Sequence, residues 1–227
     1  MRKIEKSPNV PATLINAPVP TCAAEVKKEI YKADDVRNQL MTDQGRKCAY
    51  CECRVRKAYN DVEHYRPKVA YFWLGHTWQN LLYSCNECNR TFKKYYFPLR
   101  DEATRDLAHQ DISREEPLIV NPVEEEPSIH IKYRRHEAVP CSDKGHTTIE
   151  LFQLNDRCEL VEDRKEIFEQ YKKELDKIKV FESSLQKLNL SQADIELANE
   201  GIRLCNATIC NYTALNKPFS GMLISQI

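Results

Sequence analysis

The sequence predicts an α+β fold with a cysteine-stapled core in the N-terminal half and a mixed, mainly helical C-terminal half. Three observations predict it. Two Cys-x-x-Cys pairs, Cys48/Cys51 and Cys85/Cys88, stand 33 residues apart and can offer four thiolates to one tetrahedral ion. Residues 117–153 carry β-leaning runs (PLIVNP, IHIKYR, TTIELFQL) punctuated by prolines. From about Cys158 onward, apolar residues recur with a helical period.

Composition bounds the rest. The 227 residues are 41% hydrophobic and 30% charged, enough for one large or two small globular domains. The longest uncharged stretch, Pro8–Ala24, holds four prolines and cannot be a spanning helix. The start MRKIEKSPNV has no apolar run of the signal-peptide kind. A cytoplasmic protein is expected, with the ten cysteines serving as thiols and metal ligands rather than disulfides. No two of the five glycines lie within six residues of each other. That excludes a Walker A loop, a GxGxxG turn and a GxSxG elbow.

Residues 1–45 form an N-terminal segment. Residues 1–21 are Pro-rich and extended, and Val26, Ile30, Val36 and Leu40 predict a helix over 22–44 that Gly45 ends. Residues 46–100 form the core. They hold 11 basic and 4 acidic residues, a net charge of +7, which the remaining −7 conceals in a neutral total of 34 basic and 34 acidic side chains. A local basic island is the electrostatic footprint of a nucleic-acid site. Residues 101–227 begin with a charged connector and a β-leaning stretch. A helix then places Ile167, Tyr171, Leu175 and Ile178 on one face, and a second runs from Ser191, an N-cap candidate, to about Cys210.

Cys48, Cys51, Cys85 and Cys88 are the expected structural zinc ligands. Cys53 is poorly spaced from Cys51 for joint chelation, and Cys22, Cys141, Cys158, Cys205 and Cys210 are expected as plain core residues. Between the pairs lie Val62-Glu63-His64-Tyr65-Arg66-Pro67-Lys68 and Trp78-Gln79-Asn80-Leu81-Leu82. Cys88-Asn89-Arg90 follows, with Lys93 and Lys94 after it.

The order CxxC, EH, N, CxxCN, K resembles the HNH, or His-Me finger, endonuclease motif. The strings VEHYRPK, W-x-NLLYSC-x-x-CN and FPL are similar to its PtuB branch, the HNH partner proteins of Septu-type and retron-associated anti-phage systems. Weaker matches are EPLIVNP at 116–122 and TIELFQLNDRCELVEDR at 148–164. The resemblance implies a zinc-stapled treble-clef ββα-metal core. It also implies a PtuA-like ATPase partner and, in retron systems, a reverse transcriptase with its msDNA.

The chemistry of the residues and the resemblance agree on roles. His64 is the expected general base, because a neutral imidazole titrates near working pH. Glu63, expected on the opposite side of a strand end, and Asn89, matching the second ligand position, are expected to hold Mg²⁺ or Mn²⁺. Asn80 matches the middle Asn, which orients the loop of the base. The motif departs from the commoner pattern at Glu63 (Asp or His) and at Asn89 (His). Arg66, Lys68, Arg90, Lys93 and Lys94 are expected to bind phosphates. Tyr65, Tyr95, Tyr96 and Phe97 are open to base stacking or to core packing. His76 is a rival base without an acidic neighbour.

The expected function is metal-dependent phosphodiester cleavage in defence. Two rivals stand beside it. One is a ribonuclease cutting a structured RNA such as tRNA at the same site. The other is a non-catalytic zinc-binding adaptor.

Overall fold

A computed structural model describes residues 1–55 and 60–227; Arg56 and Lys57, two members of the basic island, lie outside the described residues. The described residues form a mixed α+β protein with two small sheets and a helical C-terminal half. The expected helix over 22–44 is broken into pieces: a 3₁₀ turn at Ala23–Glu25, α2 at Lys28–Tyr31 and α3 at Asp34–Asp43, after a short α1 at Ala12–Ile15. Tertiary partners override local propensity here. The Lys27 backbone N–H donates to His76 Nε2, Lys32 pairs with Asp61, and Val36 and Leu40 on α3 enter the core. Gly45 ends α3 with φ +59°, and a Cβ there would lie 2.6 Å from the Leu215 carbonyl oxygen.

The first sheet pairs β1 (Asn60–His64) with β2 (Leu81–Cys85), antiparallel, with Glu63 opposite Leu82 and His64 opposite Leu81. β2 is buried at every position and runs into a wide π-type helix, Glu87–Lys93. These two strands and the helix carry Glu63, His64, Cys85, Cys88, Asn89 and Arg90. β3 (Ile131–Arg134) and β4 (Glu137–Pro140) form a separate hairpin.

The run TTIELFQL, expected as β-leaning, instead falls largely in α4 (Asp143–Leu151). Ser142 caps that helix by accepting the Gly145 N–H at 3.1 Å, and Thr148 Oγ1 donates to the Lys144 carbonyl while accepting the Val120 N–H. These bonds satisfy backbone groups that a strand would need to pair. Residues 117–122 form no strand, but Ile119 and Val120 are fully buried.

The helical reading of the C-terminal region holds. α5 (Cys158–Leu185) and α6 (Gln192–Tyr212) pack against each other, and Ser191 with Asp194 forms a capping box. α7 (Ser220–Ile224) follows. Tyr50 stacks on Phe152 at 4.1 Å and joins the first cysteine turn to the end of α4. Among the described residues no helix is long and apolar enough to cross a membrane.

Candidate metal centre and nuclease cleft

Cys48, Cys51, Cys85 and Cys88 converge, all buried, with their sulfurs within 4.8 Å of one another. A tetrahedral zinc with Zn–S of about 2.3 Å requires sulfurs about 3.8 Å apart. The Cys51 and Cys85 sulfurs are 3.8 Å apart. The Cys88 N–H points at Cys85 Sγ at 3.5 Å, and the Arg157 guanidinium donates to Cys88 Sγ at 3.5 Å, offsetting the charge of a thiolate cluster. The donor set fits zinc. Cys53 lies outside the tetrad, although its sulfur is 3.2 Å from Cys51 Sγ.

A cleft of about 390 Å³ is lined by Glu63, His64, Lys68, Asn89, Arg90 and Lys94, among others. His64, at the end of β1, is buried, and its Nε2–H donates to the Gly75 carbonyl at 2.9 Å. That bond sets the tautomer and leaves Nδ1 as the acceptor. Burial lowers its pKa to about 3 against the pull of the Gly75 carbonyl, with Lys68 and Lys93 adding to the fall. The imidazole is therefore neutral at working pH and can accept a proton at Nδ1, but it titrates well below the near-neutral range expected from the sequence, which makes it a weaker base in this closed setting.

Glu63 and His64 are both in the lining of this cleft, with β1 ending at His64. Burial pushes the Glu63 carboxyl up, and Lys93 opposes that shift. Glu63 and Asn89 both line the cleft, and Glu63 Oε1 is paired with Lys93 at 2.6 Å.

Asn80 does not line the cleft. It is buried, accepts the Arg66 N–H at 2.8 Å, and donates to the carbonyls of Arg66 and Leu74 at 3.1 Å each. It clamps both ends of the loop that delivers the Gly75 carbonyl to His64.

Two of the five expected phosphate contacts are corrected. Lys93 is fully buried, with Nζ 2.9 Å from the His64 carbonyl and 2.6 Å from Glu63 Oε1. A cation enclosed by its own carboxylate does not reach a ligand backbone. Arg66 turns away from the cleft, pairs with Glu115 and lies over the Tyr71 and Phe97 rings. Lys68, Arg90 and Lys94 do line the cleft, with Arg90 partly engaged by Asp61 at 2.7 Å.

His76, the rival base, has both ring nitrogens committed, one to the Pro18 carbonyl at 3.0 Å and the other to the Lys27 N–H at 3.2 Å. Tyr31 and Lys32, which sequence reasoning did not single out, also line the cleft. Tyr31 sets its ring edge-on to His64 at 4.7 Å and accepts from Lys68 Nζ at 2.9 Å. No motif marks either residue; only the broken N-terminal helix brings them there.

A family model for HNH endonucleases matches residues 48–94. A Septu protein PtuB of Bacillus mycoides (strain KBAB4) is 33% identical over 221 residues, covering 86% of this chain and 74% of that protein. A Septu protein PtuB of Bacillus thuringiensis is 32% identical over 160 residues, covering 69% of this chain and 56% of that protein. A Septu protein PtuA of Bacillus mycoides (strain KBAB4) is 29% identical over 140 residues, or 55% of this chain and 20% of its own length.

Proposed function

The chain belongs to the Septu PtuB family of HNH-domain proteins, and from that premise we propose that it is a metal-dependent endonuclease of an anti-phage defence system. The observation that supports this most is the shared cleft. A neutral, oriented imidazole, the carboxylates of Glu63 and Asp61, an amide and the four cations Lys32, Lys68, Arg90 and Lys94 line one space. On this reading His64 Nδ1 takes the proton of the attacking water. Lys68, Arg90 and Lys94 hold the phosphate backbone without reading sequence. Asn80 keeps the Gly75 carbonyl, and so the ring, in place. A Mg²⁺ or Mn²⁺ held by Glu63 and Asn89 would supply Lewis-acid stabilisation of the charge that develops on the phosphate.

The finer assignments follow the same reading. The cysteine cluster with β1, β2 and the Glu87–Lys93 helix is a treble-clef ββα-metal core within residues 46–100. Residues 1–45 complete one wall of its cleft, and residues 101–227 face a partner. That partner is a PtuA-like ATPase, joined in retron-associated systems by a reverse transcriptase and its msDNA.

The test incubates the purified protein, alone and with its companion ATPase, with duplex DNA, single-stranded DNA and total cellular RNA. Mg²⁺, Mn²⁺ and EDTA are compared. Divalent-dependent cleavage is expected, and the polymer that is cut chooses between the deoxyribonuclease and ribonuclease readings. No cleavage of any of them, with the companion present, would favour the adaptor.

A further inference from the structure

Among the described residues, two tyrosines are set apart from the others. Tyr31, Tyr50, Tyr65, Tyr71, Tyr83 and Tyr133 are buried, whereas Tyr95 and Tyr96 are 77% and 54% exposed. Both follow Lys94, which closes the Glu87–Lys93 helix with φ 52° and ψ −113°. Side-chain-bearing residues seldom adopt that backbone conformation, and such strain tends to persist where surrounding structure enforces it. Here the Lys94 N–H donates to the Asn89 carbonyl and the Tyr96 N–H to the Lys93 carbonyl, each at 2.8 Å. The turn throws both rings outward from the helix that carries Asn89.

The rings lie on a path that continues the nuclease cleft. Tyr95 and Pro67 line that cleft and also a second groove, of about 370 Å³. Tyr71, Tyr96, Phe97 and Pro98 give the groove aromatic and apolar walls, and its one acidic lining residue, Glu102, is paired with Arg105 at 2.8 Å. Lys68 and Lys94 stand on the cleft side. Cations where a phosphate passes, followed directly by open aromatic faces, match the arrangement that receives unpaired nucleotides.

We propose that the Tyr95–Tyr96 groove is a base subsite, which takes an unpaired nucleobase of the strand whose phosphate lies in the His64 cleft. The inference rests on reading that cleft as a nuclease centre. It names the substrate class as single-stranded or locally unpaired nucleic acid. A base stacked within a duplex presents no free face to a tyrosine, and a π-face does not distinguish deoxyribose from ribose.

The test measures binding by fluorescence anisotropy with the full-length His64→Ala protein in Mg²⁺. The probes are fluorescein-labelled single strands of about 15 nucleotides, near the upper site size of a single-strand module, as DNA and as RNA, with their duplexes as controls. Adding Tyr95→Ala or Tyr96→Ala is expected to weaken single-strand binding by about 5- to 100-fold for at least one ring. Duplex binding and the salt slope should hold, because no phosphate contact is lost. Tyr→Phe at the same position should retain affinity. Both side chains are exposed, so unchanged thermal melting checks that the fold survives. Unchanged single-strand binding, equal losses on single strand and duplex, or no single-strand binding by the parent overturns the subsite. Cleavage of the same oligonucleotides by the His64 protein is scored separately. Cutting combined with ring-independent binding therefore rejects the subsite while leaving the nuclease intact.

Discussion

Lys93 Nζ lies 2.6 Å from Glu63 Oε1, and both side chains are almost wholly removed from water. The helix that follows β2 thus inserts a cation beneath the carboxylate that β1 presents to the cleft, and the same ammonium holds the His64 carbonyl at 2.9 Å. Removing one member of a buried ion pair strands the other charge. Lys93→Met is therefore expected to cost about 3–5 kcal/mol of stability, measured by urea unfolding, and to abolish cleavage. A variant as stable as the parent would show that Glu63 does not depend on this partner.

Asn80→Ala removes three hydrogen bonds from the 66–75 loop and leaves buried backbone groups unpaired, at about 1–3 kcal/mol. The aim of His64 depends on the Gly75 carbonyl carried by that loop. Steady-state kinetics should therefore show kcat falling with KM little changed. A rise in KM alone would place Asn80 at the substrate instead.

Much of this site was legible in the sequence because its chemistry is local. CxxC spacing brings two sulfurs to one ion wherever the turn forms, and Glu63-His64 are chain neighbours. What failed was burial. Lys93 and Lys94 are adjacent, yet one is sealed under Glu63 and the other faces the cleft; only the path of the Glu87–Lys93 helix separates them. Arg66 was misread for the same reason, since Glu115 lies 49 residues away in the chain. Tyr31 and Lys32 reach the cleft only because the helix expected over 22–44 breaks between α2 and α3. The β-branched run at Thr147–Ile149 suggested a strand, and the Ser142 cap and the Thr148 hydrogen bonds made it a helix.

The cysteine tetrad predicts one zinc per chain. Cys48→Ser or Cys88→Ser should lose the metal and the cooperative melt, because ligand loss removes binding energy that also stabilises the fold. Cys53→Ser should keep full occupancy despite the 3.2 Å approach of its sulfur to Cys51. Elemental analysis by inductively coupled plasma mass spectrometry decides it, and zinc loss in Cys53→Ser would place that residue among the ligands.

The cleft cations and the buried ones should separate by salt. Lys68→Ala and Lys94→Ala are each expected to weaken binding across all sequences and to lower the slope of log K against log salt by about 0.9 for duplex DNA. Arg66→Ala should leave that slope alone and instead lower the melting temperature by leaving buried Glu115 without its cation. A reduced slope for Arg66→Ala would return that residue to the phosphate path.

On the proposed function, His64 is the base of a hydrolytic centre, and single-turnover cleavage by His64→Ala beside the parent decides it. The substrate is whichever polymer the parent cuts, with Mg²⁺ or Mn²⁺ and the companion ATPase present. A loss of about 10²–10⁴-fold in the cleavage rate, with zinc content and substrate binding retained, is the predicted result. A variant that still cuts at the parent's rate while keeping its fold would contradict the account and move the chemistry away from this cleft.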